Sequence, residues 1–216
     1  MKREINIAVD GIELPGTLVL PKGARGIVVF AHGSGSSRFS PRNTFVAKVL
    51  QDGGVGTLLI DLLTRKEDEV YETRFDIELL TERLGRVVAW TLEEGVTKGL
   101  AVGLFGASTG AAAALNLGAK LGERVAPLVS RGGRPDMAME SLPRIVSPTL
   151  LIVGGNDFGV IELNEKAYAA LACEKKLEII PGATHLFEEP GALEEVARLA
   201  ADWFIRYFSL ARVAPT

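Results

Sequence analysis

The chain predicts an α/β protein: a three-layer α/β/α sandwich around a mainly parallel sheet, with an N-terminal antiparallel hairpin, in one domain spanning residues 1–216. Three observations carry this. From Ile27 onward, short runs rich in branched apolar residues alternate with longer helix-like stretches. The short runs are apolar throughout, as strands covered on both faces are. Near the start, two β-like runs flank Asp10-Gly11, a pair that tolerates positive φ and marks a tight hairpin.

Taken in order, the hairpin strands are Arg3 to Val9 and Ile12 to Val19, followed by punctuation at Pro21, Gly23 and Gly26. Ile27 to Ala31 reads as the first core strand, Arg42 to Gln51 as a helix stopped by Asp52-Gly53-Gly54, and Gly56 to Leu62 as the next strand. Thr64 to Thr73 is a charged loop, its Arg65 to Glu69 run solvated, and Phe75 to Glu94 a long amphipathic helix. The strand Leu100 to Phe105 leads into a helix from Thr109 to Leu121. A strand at Ala126 to Val129, a helical segment around Met137 to Leu142 and the strand Thr149 to Val153 follow. A helix from about Ile161 to Ala172, with its apolar run reaching Cys173, a strand at Leu177 to Ile180 and a helix from Leu193 to about Leu210 finish the count.

Composition narrows the function. Charged residues make up 24% and the net charge is -3, so nothing electrostatic favours a nucleic-acid partner. No run is long and apolar enough for a membrane span, and Met1 to Asp10 has no apolar leader core, which predicts a cytoplasmic protein. The single cysteine, Cys173, excludes an internal disulfide and is given no role. With only His32 and His185 present, a zinc site is disfavoured, and no cofactor or metal is expected.

In a parallel sheet, chemistry collects on loops leaving the carboxyl ends of strands. Gly106-Ala107-Ser108-Thr109-Gly110 stands between a strand and a helix, where such a pentapeptide can form a sharp turn that lifts its serine above the sheet. Gly154-Gly155-Asn156-Asp157 and Gly182-Ala183-Thr184-His185 each follow a later strand. Ser108, Asp157 and His185 thus occur in the order nucleophile, acid, base. A serine hydroxyl needs an imidazole to accept its proton, and that imidazole needs a carboxylate to hold its tautomer. Thr109 would supply one backbone N–H to a developing oxyanion from the N-terminus of its helix.

These segments resemble the dienelactone-hydrolase-like group of the α/β-hydrolases over nearly the whole chain, including the loop His32-Gly33-Ser34-Gly35. By that resemblance Ser108 is the nucleophile, Asp157 the acid and His185 the base, and the fold is an α/β-hydrolase without a lid domain. The second oxyanion donor is then Ser34, with Gly33 as the alternative. One position departs from the pattern: the dienelactone hydrolases carry a cysteine nucleophile where Ser108 stands, which turns the expected substrate toward ordinary carboxylic esters. About twenty residues separate the strands near Val129 and Thr149, too few for an inserted helical lid, so soluble esters of small to medium size are the expected small-molecule partner.

Plainer readings stand beside these. Ser108 or Asp157 could merely cap the helix that follows it, and Asp136 rivals Asp157 as the acid although Pro135 makes it resemble a cap. His32 is expected to hold its own loop. Arg131 and Arg134 would either bind an anionic substrate group or be tied to nearby carboxylates. Two other functions compete: a Rossmann-like nucleotide-binding protein, suggested by Gly33-Ser34-Gly35 and a later strand ending at Asp61, and a hydrolase-fold protein that binds a ligand without turning it over.

Overall fold

The computed structural model describes residues 1–210. β1 (Lys2–Val9) and β2 (Ile12–Val19) pair antiparallel around Asp10 and Gly11, both at positive φ as the turn requires. β3 (Gly26–Ala31), β4 (Gly56–Ile60), β5 (Ala101–Ala107), β6 (Leu128–Arg131), β7 (Thr149–Gly154) and β8 (Lys175–Ile180) run parallel, and β2 joins them antiparallel through β4. The resulting eight-stranded sheet has the order β1-β2-β4-β3-β5-β6-β7-β8. The helices are α1 (Pro41–Asp52), α2 (Arg65–Asp68), α3 (Ile77–Glu93), α4 (Thr109–Leu121), α5 (Phe158–Ala170) and α6 (Ala192–Leu210).

Side chains alternate across the buried strands, and this period of two divides the core. Ile27, Val29, Leu58, Leu104 and Leu151 face one way, against α3, α4 and α5; Val28, Phe30, Leu59, Phe105 and Ile152 face α1 and α6. The chain moves outward from β3 to β4 and then returns across β3 to β5. This reversal opens a crevice beyond the carboxyl ends of β3 and β5. No helix among the described residues is long and apolar enough to cross a membrane.

Several elements differ from the sequence expectation for local physical reasons. The charged run after Thr64 meets solvent as expected but is not a loop: α2 forms there because Thr64 and Glu67 make a reciprocal capping box, and a 3-10 turn follows at Glu72–Phe75. β6 continues through Ser130 and Arg131, since Gly106 and Ala107 of β5 supply pairing partners that residue polarity does not reveal. α5 starts at Phe158 and stops at Ala170, so Cys173 lies beyond the helix, with its Sγ 3.7 Å from Thr149 Oγ1. β8 is an edge strand in which Lys176 and Ile179 are exposed and only Ile180 is buried, and it is therefore not apolar throughout. The segment around Met137 resolves into two 3-10 turns, Pro135–Ala138 and Leu142–Arg144.

Glu67 also anchors α2 to α3. Arg83 donates to it through Nη1 and Nη2 at 2.8 and 2.5 Å, and hydrogen bonding to Arg83 is the main reason its carboxyl is lowered to about 2. A carboxyl depressed in the folded state stabilises above its unfolded pKa and loses that contribution as pH falls toward the folded one. Glu67→Gln should therefore cost roughly 1–2 kcal/mol at pH 7, a figure discounted for partial exposure. The difference from the parent should shrink to nothing as pH approaches 2, which urea unfolding at pH 7, 4 and 2.5 would measure.

Candidate active site

Gly106 and Gly110 explain how the chain turns between β5 and α4. A Cβ on Gly106 would lie 2.4 Å from Ala111 Cα, and one on Gly110 would lie 2.3 Å from the carbonyl oxygen of Ala31. Only glycine fits where helix and strand backbones come this close. Ser108 between them takes φ 51 and ψ -120, a conformation that costs an L-residue energy and that the surrounding bonds enforce. Its N–H donates to Arg131 O at 3.2 Å, and its carbonyl accepts from Arg134 N–H at 3.1 Å.

Ser108 occupies the N-cap position of α4, but its side chain makes no capping hydrogen bond. Asp157 likewise occupies the N-cap position of α5 without capping it. Its Oδ2 instead lies 2.7 Å from His185 Nδ1. A carboxylate only accepts, so Nδ1–H is the donor, and in the neutral ring Nε2 carries the lone pair that can take a hydroxyl proton. The cap readings of both residues thus fail on geometry.

Backbone packing brings the Asp157 and His185 loops together. A Cβ on Gly154 would lie 2.4 Å from Ala183 O, and Gly155 and Asn156 N–H groups donate to Ile180 O and Ala183 O, both at 2.8 Å. Gly132, at φ 51, lets the end of β6 pass beneath the imidazole, with its would-be Cβ 3.4 Å from His185 Cε1. Gly132 follows the residue that accepts the Ser108 N–H, so the end of β6 links the Ser108 turn to the His185 loop; among the described residues Asp157 and His185 are hydrogen-bonded, and Ser108 Oγ makes no hydrogen bond to His185. His185 remains 38% exposed and Asp157 16%, so the cluster opens to solvent.

The His32 loop approaches from the other side. A Cβ on Gly33 would meet Ser108 Cβ at 3.0 Å, which places this backbone directly against the serine. Thr109 stands at the first position of α4, where a backbone N–H has no acceptor within the helix. Ser34 does not fit its expected part as well: its N–H is turned to Thr109 Oγ1 at 2.9 Å. That side-chain link could have been suspected only from a hydroxyl following Ser108. His32 Nδ1 lies 3.0 Å from Gly33 O and its Nε2 3.7 Å from Asp61, so the ring sits across the base of its loop.

The rival acid is occupied elsewhere. Asp136 lies inside the 3-10 turn rather than at its cap, and Arg134 grips both its oxygens at 2.8 and 2.7 Å. Its carboxyl is lowered chiefly by that pair. The nucleotide-binding pattern fails in detail as well. α1 begins only at Pro41, several residues past Gly35, and Arg38 binds both oxygens of Asp61 through its N–H at 2.6 Å and Nη1 at 2.5 Å. Beside the crevice runs a cleft of about 430 Å³ walled by polar groups including His32, Ser36, Asp61, Thr64 and Arg65.

Comparison with known proteins agrees with this architecture. Residues 14–212 match the model of the dienelactone hydrolase family. The crystal structure of dienelactone hydrolase from Anabaena variabilis is 53% identical and superposes with a TM-score of 0.93 over 95% of this chain and 97% of that one. Est1E from Butyrivibrio proteoclasticus shares the fold at 16% identity, with a TM-score of 0.83 over 95% of this chain and 99% of its own. Two curated Mycobacterium tuberculosis proteins, each named "Putative phosphoribosyl transferase", are 54% identical over 202 residues, covering 94% of this chain and 46% of theirs. The chain therefore spans about half the length of those relatives. Sheet order, the turn at Ser108 and a family match over nearly the full length lead to one conclusion: the chain is an α/β-hydrolase-fold protein and belongs to the dienelactone hydrolase family.

Proposed function

We propose that the protein is a serine hydrolase that cleaves carboxylic esters of small to medium soluble substrates through an acyl-enzyme. The observation that carries this reading is the 2.7 Å Asp157–His185 pair beside a serine held at φ 51 with an uncommitted hydroxyl. Ser108 Oγ attacks the carbonyl carbon while His185 Nε2 takes its proton. The tetrahedral oxyanion collapses, the alcohol leaves with the proton that His185 returns, and water repeats the sequence on the acyl-enzyme. Asp157 keeps the imidazole in the tautomer that can accept. The Thr109 N–H is one oxyanion donor, and Gly33 is the better second, because Ser34 would have to release Thr109 first. The polar cleft next to His32 receives the larger part of the substrate, with Thr64 and Arg65 in its wall.

The tuberculosis relatives carry a transferase name and this chain matches about half of their length, so we assign that name to the part it does not match. A non-catalytic binding role would leave a strained serine and a paired histidine without use. The test is labelling with a fluorophosphonate probe, peptide mapping of the adduct, and a panel of nitrophenyl esters of increasing acyl length. An adduct on Ser108 with turnover of short esters is the expected result. Absence of both adduct and turnover would overturn it and leave the binding-only reading standing.

A further inference from the structure

Arg131 and Arg134 leave the same strand end but have opposite environments. Arg134 is gripped by Asp136, and Arg38, Arg74 and Arg83 also have carboxylates within 3.2 Å. Arg131 has none within salt-bridge distance among the described residues, although it is only 7% exposed. Its Nη2 reaches Asn43 Oδ1 at 3.5 Å, the limit of a hydrogen bond, and its Cζ lies 5.8 Å from the Phe187 ring, near the edge of useful cation–π range. Its Nε and Nη1 are buried with no protein partner. Burial first, and neighbouring Arg42 second, push it down to about 10, which still leaves it charged at neutral pH.

Arg42 compounds the problem. It is the second residue of α1, its own Nε is buried without a partner, and only its Nη1 is engaged, by Glu188 at 3.3 Å. Glu189, next to Glu188 in the chain, interacts with the Thr184 side chain, and its Oε2 is itself buried without a partner, yet it lies beyond salt-bridge distance of both arginines. Arg42 belongs to the first turn of the twelve-residue α1 and Arg131 reaches Asn43 of the same turn, so two guanidinium groups lie at a helix N-terminus whose dipole is also positive, while Ser40 caps the Asn43 N–H. A buried charge is tolerated when it is paired, and Arg131 has no negative partner among the described residues.

We propose that Arg131, Arg42 and the first turn of α1 form a binding site for a small inorganic anion of the halide class, lying beneath the loop that carries His185. The anion accepts from one unpartnered donor of Arg131, Nε–H or Nη1–H, which point to different sides of its guanidinium, and from the Nε–H of Arg42, and it relieves the repulsion between the two side chains. It binds from solution, independently of substrate, and ties β6 and α1 to the Phe187 turn.

The test compares thermal unfolding in sodium bromide and in sodium gluconate at fixed ionic strength, gluconate being too large to enter. Bromide should raise the Tm saturably, by roughly 5 °C or more at about 100-fold above its dissociation constant. Bromide-soaked crystals should show an anomalous peak within hydrogen-bonding distance of Arg131 Nε or Nη1. Arg131→Met and Arg42→Met should lose the saturable shift, and Arg131→Met should be no less stable than the parent in gluconate. If Arg131→Met fails to fold, Arg42→Met and the anomalous map carry the test. Overturning results are an absent shift together with an absent peak, an equal shift in the variants, or stabilisation by an acidic ester but not by bromide.

Discussion

Ser108→Ala is expected to lower ester turnover by at least about 10⁴-fold while leaving the fold intact, because the alanine keeps the turn and removes only the attacking oxygen. His185→Ala should cost a similar factor, and the double variant little more than either alone, since serine and histidine act in one proton transfer. Asp157→Asn tests the carboxylate separately. An amide can donate to Nδ1, which would put the imidazole proton on Nε2, where it blocks the base, and a loss approaching about 10⁴-fold follows from the wrong tautomer. Steady-state kinetics on a short nitrophenyl ester would measure all four proteins. Losses that simply multiply in the double variant would argue against a concerted Ser108–His185 unit.

The backbone strain at Ser108 has its own signature. Ser108→Gly should abolish turnover like alanine, yet raise stability by roughly 1 kcal/mol, because glycine reaches φ 51 and ψ -120 without a Cβ penalty. A glycine variant no more stable than the alanine variant would show that the turn is not strained.

The largest stability effect should come from Gly110→Val. A Cβ there would stand 2.3 Å from Ala31 O and 2.5 Å from His32 O, both backbone atoms of the sheet's centre that cannot swing away as a side chain could. α4 would have to lift from β3, opening the interface that also sets the Gly33 backbone against Ser108. The expected cost is about 3 kcal/mol or more, at or beyond the usual range for overpacking, and a Tm lower by roughly 6–12 °C. Gly159→Ala is the control. It lies in α5 with nothing within 4 Å of its would-be Cβ, and should be neutral or gain a few tenths of a kcal/mol, about what helix propensity allows. Differential scanning calorimetry of the two variants would separate the close contact from a general intolerance of added side chains.

The hairpin and most of the strand and helix order were legible in local signals. Asp10-Gly11 marked its turn, and Ile27 to Ala31 and Thr149 to Val153 marked buried strands, because burial on both faces leaves a continuous apolar run. Boundaries slipped where a partner rather than a residue's own chemistry sets the structure. Ser130 and Arg131 are polar yet complete β6 against β5, and the charged residues after Thr64 form α2 through a reciprocal cap. Polarity predicts solvent contact only on average: Ser130 and Arg131 are buried in the sheet, whereas Arg65, Lys66 and Glu69 stay exposed on a helix that a local cap starts.

For the candidate site, the sequence by itself determined which residue types were available, their order and the strand each follows: Ser108, Asp157 and His185, with only two histidines to choose from. It could not separate Asp157 from Asp136, because both are aspartates in loops after strands. The tertiary structure distinguished them by distance, setting Asp157 against His185 and Asp136 against Arg134. It likewise turned Ser34 toward Thr109 and left Arg131 buried opposite no carboxylate. Hydrogen bonds and ion pairs act over about 3 Å, whereas these partners lie 28 residues apart for Asp157 and His185 and 75 for Ser34 and Thr109. Sequence order conveys what each strand end carries, and only the packed sheet brings those ends within bonding range.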